Sequence, residues 1–275
     1  MDYFSRPELS QSQLKDFMVS PAYYKLRREK PRVETEAMAI GTAVHAAVLE
    51  PEIFVKKYVV SGKIDRRTKA GKEEFEKFNV ENSGKTVLNC ETYDMILSMR
   101  DSVLDHPRVK DIFKLPMQAE KEIFFELEEV ACKAKLDAIV PSINTVIDFK
   151  TARSASADSF KKDMINMQYD VQAFWYCEAY KSLTGKYPGF YAFIVASKEE
   201  PYPVGFFSVD SEFLDRGRYY ALKALKKFKE CVEKDIWPKN ESDEVIQINT
   251  PEWALKEVME FGEAHFTTNN KTEIF

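Results

Sequence analysis

The stretch Ala131-Cys-Lys-Ala-Lys-Leu-Asp-Ala-Ile-Val-Pro-Ser-Ile-Asn-Thr-Val-Ile-Asp-Phe-Lys150 reads as two strands joined by a turn at Pro141-Ser142. Side chains alternate along a strand, so Asp148 and Lys150 point to one face while Ile147 and Phe149 point to the other. Asp137 shares the face of Lys133 and Lys135. If the strands pair side by side, Asp137 lies beside Asp148, and two carboxylates about 4 Å apart repel by roughly 4 kcal/mol at an effective dielectric of 20. One lysine does not cancel two negative charges. A divalent cation does, and all-oxygen ligation favours Mg²⁺ or Mn²⁺ over softer metals. The competing reading is a surface hairpin with a solvated charged face. Ala138-Ile139-Val140 and Val146-Ile147 argue against it, because they carry apolar groups on both faces, as in a strand covered on both sides. Charges kept in such a place have a task.

A chain of 275 residues can bury a sizeable core, and 44% hydrophobic with 31% charged residues is ordinary for a soluble globular protein. With 9 Gly and 12 Pro, long flexible linkers are not expected, and we read a single domain over residues 1–275. No apolar run approaches a membrane span, and Met1-Asp-Tyr-Phe-Ser-Arg6 lacks a signal pattern, so the expectation is a cytoplasmic protein with no membrane partner. Cys90, Cys132, Cys177 and Cys231 lie more than forty residues apart, too far for a zinc ribbon or iron-sulfur motif; Cys132 and Cys177, inside an apparent strand and helix, read as small core residues, and no disulfides are expected. The net charge of −5 does not advertise a nucleic-acid binder. Local basic clusters do occur, at Lys25 to Arg32, Lys63 to Lys72 and Lys223 to Lys229. Each alone is a solvated face; converging on one groove, they track a phosphate backbone.

Taken in order, Ser10 caps a short helix with Leu14, Phe17 and Met18 on one side, and Ser20-Pro21 starts a second that carries Tyr23, Tyr24, Arg27 and Arg28. Glu34 to Leu49 is apolar on nearly every side, hence a buried helix, with His45 in its middle four residues after Gly41. A mobile basic loop over Lys63 to Gly71 precedes helices over about Lys72–Asn79 and Cys90–His106. Met117–Leu127 is a strand leading into the hairpin, which makes three consecutive antiparallel strands. A polar connection after Lys150 leads to a helix from about Ala157 and another over Asn166–Ser182. On the latter, Gln168, Gln172, Tyr176 and Tyr180 recur every four residues along one side, a spacing suited to hydrogen bonds with phosphate or base edges. Strands over Phe190–Ala196 and Val204–Val209 follow. A long helix over Ser211–Lys234 turns Leu214, Tyr219, Leu222, Leu225, Phe228 and Val232 inward, and Trp237-Pro238 stops it. The remainder has weak periodicity and is read as a tail or an interaction segment.

Asp137, then Asp148-Phe149-Lys150, resembles the D…(D/E)xK signature of the PD-(D/E)xK nuclease superfamily. Gly41-Thr-Ala-Val-His45 resembles the GxxxH helix of RecB-type nucleases, and Gln172-Ala-Phe-Trp-Tyr176 their QxxxY helix. Leu14 followed by Ser20-Pro-Ala-Tyr-Tyr24, His45 running into Leu49-Glu-Pro51, and Asp148-Phe-Lys-Thr151 are similar to the RecE (exodeoxyribonuclease VIII type) branch of phage or prophage recombination exonucleases. The resemblance covers roughly Ser10 to Trp237. It departs from the family where Leu136 replaces the proline before the first acid, in lacking the cysteine cluster of the iron-sulfur members, and in spanning only the nuclease portion of long RecE proteins.

This resemblance implies an α/β fold. Its parts are a restriction-endonuclease-like core with a central mixed sheet flanked by helices (about 115–237), an added N-terminal helical region (about 8–110) and a C-terminal tail (about 238–275). It implies that His45, Asp137, Asp148 and the backbone carbonyl of Phe149 hold one or two Mg²⁺ ions. Nitrogen ligation is atypical for Mg²⁺, so His45 is expected to bind more weakly or to favour Mn²⁺ as a substitute. Asp137, Asp148 and Lys150 are then catalytic, and Gln172 and Tyr176 position the substrate, with Gln168, Thr151, Arg153 and Ser154 as further contacts. The implied activity is processive 5′ to 3′ digestion of duplex DNA from a free end, by a ring-shaped homotetramer, leaving 3′ overhangs for a RecT-type single-strand annealing protein. A structure-specific or flap endonuclease of the same superfamily and an inactive DNA-binding module are the alternatives. The tyrosines and basic clusters favour a long anionic substrate over a small molecule.

Overall fold

In the computed structural model, which describes residues 3–30, 33–62, 67–240, 242 and 245–249, strand β1 (Leu9–Ser10) leads into α1 (Gln11–Val19), α2 (Pro21–Glu29) and α3 (Glu36–Leu49). The caps follow the sequence. The Ser10 hydroxyl accepts from the Gln13 N–H while the Ser10 N–H donates to the Gln13 side chain, a reciprocal capping box. Ser20 caps α2 with Pro21 in its first turn. Next come α4 (Pro51–Lys57), β2 (Tyr58–Val60), α5 (Lys69–Glu81), β3 (Thr86–Leu88), α6 (Cys90–Asp105) and α7 (Pro107–Phe113). The sequence does not announce α4, α7 or the parallel pair β2–β3. Each spans three to seven residues, too few for a hydrophobic period to repeat. Helix α5 starts earlier than Lys72 because Thr68 accepts from the Gly71 N–H and caps it. Part of the expected basic loop, Lys63 to Arg66, lies outside the described residues, as do Pro31 and Arg32.

The second half supplies the main sheet: β4 (Gln118–Leu127), β5 (Val130–Val140), β6 (Thr145–Ala152), then α8 (Ala157–Asn166), α9 (Tyr169–Thr184), β7 (Phe190–Ser197), β8 (Val204–Ser208) and α10 (Ser211–Lys234). The sheet is mixed. β4, β5 and β6 are consecutive and antiparallel, β7 runs parallel to β6, and β8 returns antiparallel. β4 occupies one edge of β5 along nearly its whole length, so β1 and β6 share the other. β1 pairs there at Cys132 and Lys133, and β6 only from Ala138 onward. On that edge residues 134–137 therefore face a gap with no neighbouring strand among the described residues.

Both faces of the sheet are covered. On one, Leu136, Val146, Tyr191 and Phe193 pack with Leu14 and Phe17 of α1, Trp175 of α9 and Leu225 and Phe228 of α10. On the other, Val140, Ile147, Phe149 and Ile194 pack with Val44 and Val48 of α3 and Ile96 and Met99 of α6. The two-sided burial read from the apolar runs is present. Two details differ. The first turn of α3 is exposed at Met38, so only its second half is a core helix. On α10, Tyr219 is exposed because it lies opposite the arc of Ala221, Ala224, Leu225 and Phe228, and Val232 is exposed in the last turn. Cys132, Cys177 and Cys231 are buried and Cys90 half-buried, all free; burial pushes the Cys132 and Cys177 thiols up to about 12. Among the described residues no helix is long and apolar enough to cross a membrane.

By its contacts the chain divides into Met1–Lys239, which holds every element above, and Asn240–Phe275. The tail read from about residue 238 lies almost wholly outside the described residues.

Helices α9 and α10 approach closely at Gly217, where an added Cβ would sit 2.0 Å from the Asp170 carbonyl oxygen. Gly217→Ala should therefore lower stability by about 1–3 kcal/mol in urea unfolding, the usual range for overpacking. An unchanged midpoint would contradict the close packing.

Candidate active site

β5 and β6 stop pairing after Ala138 and Ile147. One step further, the Phe149 N–H has no ladder acceptor on β5, and the Asp137 Oδ2 accepts it at 2.8 Å. In an extended strand the N–H and C=O of one residue point to the same side. The Phe149 carbonyl therefore faces the same gap as Asp137.

His45, from the buried half of α3, enters this gap from the other direction. Its Nε2 is 3.2 Å from Asp137 Oδ2, and its Nδ1 is 3.1 Å from Glu120 Oε1. Its ring meets Phe149 edge to face at 5.7 Å between centroids. Gly41, one turn earlier, lets α3 lie against β6: a Cβ there would be 3.2 Å from the Thr151 hydroxyl. Glu120 also ion-pairs with Lys135. Phe4, Gly41, His45, Glu120, Asp137 and Lys150 are among the residues lining an open cleft of about 430 Å³.

Asp148 and Lys150 share a face as alternation requires, and they form an ion pair. Asp148 is fully buried, and its other oxygen accepts from the Tyr191 hydroxyl at 2.9 Å. Of the acids read from the sequence, Asp137 meets His45 directly, whereas Asp148 is turned toward Lys150, the nearest positive charge. The Lys150 ammonium in turn lies 4.7 Å from the centre of the Tyr169 ring.

Gln172 and Tyr176 lie on α9 as the spacing indicates, and both are buried. Tyr176 borders a cavity of about 240 Å³ beside the cleft, with Ser10, Lys133 and Lys135. Gln168 is off the helix: it takes a left-handed conformation with φ 52° at the junction with α8, so the four-residue stripe begins at Gln172. Tyr180 points away, to Asn144 at the β5–β6 turn. Thr151 lines the cleft. Arg153 instead pairs with Glu199 in solvent, and Ser154 contacts Ser156.

Sequence reasoning missed Glu120, Lys135, Tyr169 and Tyr191. For Glu120 the cue is the register of β4 on β5. Glu128 and Glu129 form a two-residue turn with both φ positive, which pairs Leu127 with Val130. Counting back from that pair puts Glu120 opposite Asp137. Two glutamates are not the expected turn residues, so the turn, and the register it fixes, stay hidden in the sequence.

Three carboxylates, Glu120, Asp137 and Asp148, thus face two ammonium groups, Lys135 and Lys150. Burial raises the Asp148 pKa to about 6, with Asp137 adding to the rise and Lys150 opposing it. Burial would also raise Asp137, but His45, Lys150 and the Phe149 N–H outweigh it and hold this carboxyl below its ordinary value. For Lys150, burial acts downward and is overcome by Asp148 and Asp137, so its pKa is raised. His45 behaves likewise: burial favours the neutral ring, yet Asp137 and Glu120 raise its pKa above the usual value. Protonation of this ring offsets the negative charge that two lysines leave unpaired. A divalent cation fits the same deficit, and ligand atoms of His45, Glu120 and Asp137 lie within 4.8 Å of one another.

A family profile for a PDDEXK-like domain of unknown function (DUF3799) matches residues 10–248. Among solved structures, a provisionally assigned exonuclease from Eubacterium rectale aligns over 90% of this chain and 92% of its own, with 16% identity and a TM-score of 0.59. At that identity the likeness is one of fold. A phage-related exonuclease from Haemophilus somnus 129PT aligns over 70% of this chain and 95% of its own, with 13% identity and a TM-score of 0.35, too low to carry an argument. No curated protein matches the chain in sequence.

The chain contains only three histidines, which makes His45 accessible to NMR titration. In metal-free protein its midpoint should lie above 6.5, and Asp137→Asn should lower it. Because the folded-state pKa is raised, the stabilisation from His45 is complete below the unfolded value and fades as pH rises through the folded one. A midpoint at or below 6.5 would contradict the pairing.

Proposed function

The chain belongs to the PDDEXK-like family DUF3799, and from that premise we propose that it is a metal-dependent deoxyribonuclease that digests linear duplex DNA from a free end. The observation that carries this reading is the convergence of His45, Asp137 and the Phe149–Lys150 backbone on one open gap in the sheet, with the Asp148–Lys150 ion pair at its floor. His45, Asp137, Asp148 and the Phe149 carbonyl would hold Mg²⁺, or Mn²⁺ in its place. When bound, the cation lowers the pKa of a water and stabilises charge on the scissile phosphate.

The protein's own groups do the rest. Lys150 neutralises charge that develops on the phosphate, and the buried Asp148 fixes where its ammonium sits. Tyr191 and the Phe149 N–H hold the two carboxylates in place. Thr151 is the strand contact inside the cleft, and Tyr176, with Gln172 near it on α9, acts at the small cavity beside it. Arg153 and Ser154 reach DNA only where it extends past the cleft. Gln168, at the helix junction, is the weakest of the proposed contacts. A polyanionic substrate also suits α10, where six cations and no acid lie between Asp215 and Glu230.

The 5′ to 3′ polarity, processivity, ring tetramer and RecT-type annealing partner rest on the resemblance to the RecE branch. A cytoplasmic setting, that of the host if the gene is a phage's, is part of the same reading. So is the treatment of residues 1–275 as one nuclease domain with a tail.

Asp148→Ala and Lys150→Ala should each slow Mg²⁺-dependent digestion of linear duplex by about 100-fold or more while leaving the circular dichroism spectrum unchanged. Full activity in either variant would sink the assignment. Closed circular duplex should survive intact; nicking or linearisation of it would favour the structure-specific endonuclease. On end-labelled linear duplex, a 5′ label should be released early and a 3′ label late, and the opposite order would overturn the polarity. An absence of cleavage on every DNA tested would leave a binding module.

A further inference from the structure

His45 is gripped at both ring nitrogens, by Glu120 Oε1 at Nδ1 (3.1 Å) and by Asp137 Oδ2 at Nε2 (3.2 Å). A neutral imidazole has one proton and one free lone pair. One of these acids can therefore share a cation with His45, and the other must accept the remaining N–H.

Three observations decide which is which. The Asp137 oxygen beside Nε2 also accepts the Phe149 N–H, and the Phe149 carbonyl faces the same gap, so Nε2 looks toward the Asp148-Phe149-Lys150 strand and its charged groups. Glu120 has its second oxygen occupied by Lys135, which leaves it one oxygen for His45. Glu120 also takes a left-handed conformation, φ 51°, at the position opposite Asp137, and the flanking pairs Ala119–Ala138 and Lys121–Leu136 keep register on either side. A non-glycine residue in that region is strained and persists where its surroundings fix it.

We infer that Glu120, tethered by Lys135, is a positioning residue: it holds His45 as the Nδ1–H tautomer and presents Nε2 to the cation that Asp137 shares. Glu120 is then not a ligand. The arrangement is a carboxylate–histidine pair of the kind that orients metal-binding imidazoles. It rests on the metal-binding reading of this site and adds the division of labour between its two acids.

The test uses the full chain and two readouts: Mn²⁺ binding by titration calorimetry, and the His45 ring nitrogens by ¹⁵N NMR in metal-free protein at a pH above the His45 midpoint, where the ring is neutral and has one tautomer to report. Glu120→Gln keeps an acceptor oxygen and Glu120→Ala removes it. Glu120→Ala should weaken Mn²⁺ binding by about 10- to 100-fold and lose the Nδ1–H signature, whereas Glu120→Gln should stay within about threefold of the parent and keep it. Equal, large losses in both variants would make Glu120 a ligand and overturn the inference, as would no loss in either. If Glu120→Ala does not fold, Glu120→Gln still decides, and Lys135→Met adds a milder weakening. Asp137→Ala separates the two readings. If the parent binds no Mn²⁺, or Asp137→Ala binds it equally well, the metal reading fails, while the Nδ1–H signature still reports on Glu120.

Discussion

After the Ala138–Ile147 pair the Phe149 N–H has no strand partner, and the Asp137 carboxylate accepts it instead. That substitution of a side chain for a ladder bond lets two strands part without leaving a buried donor unsatisfied, which would cost about 1–3 kcal/mol. It also aims Asp137 into the opening. The opening exists because β5, with β4 along one edge, divides its other edge between β1 and β6 and leaves 134–137 uncovered. The rest of the site is arranged around this hole in an otherwise two-sided sheet.

Charge governs what fills the hole. Acids that are buried, like Asp148, or half-buried, like Glu120 and Asp137, are costly unless paired, and each has a named partner: Lys135 and His45 for Glu120, His45 and a backbone N–H for Asp137, Lys150 and Tyr191 for Asp148. The set still carries one more carboxylate than lysine. The raised pKa of His45 follows from that imbalance. A site that needs one extra positive charge, offers carboxylate oxygens and an imidazole nitrogen once the ring proton is released, and opens to solvent is suited to a divalent cation.

The surrounding layers fix these groups from both sides. From one face α3 brings His45, and Gly41 allows the helix to lie against Thr151. From the other, Trp175 donates to the Lys133 carbonyl at 3.0 Å, and Lys133 donates to the carbonyls of Tyr3 and Arg6, so α9 and the N-terminal segment are tied to the strand beside the gap. Asp170, at the start of α9, is ion-paired to Arg216 of α10. The helix that bears Gln172 and Tyr176 is thereby held against its neighbour as well as against the sheet.

Local sequence determined the longer helices, their caps, the strand alternation and the two-sided burial of the central hairpin, because those depend on periodicity and on groups within four residues of one another. It also singled out His45, Asp137, Asp148 and Lys150 as charges in an apolar setting. Tertiary structure alone decided how they meet. Register and the parting of β5 from β6 put Asp137 on His45 and left Asp148 to Lys150. A turn built from Glu128 and Glu129 brought in Glu120, and Lys135 followed as its partner. The burial of Gln172 and Tyr176 and the displacement of Gln168 came from the packing of α9 and the break before it. Spacing along the chain sets which residues share a face; how far apart two faces lie is set by pairings between segments distant in sequence, and no local pattern records those.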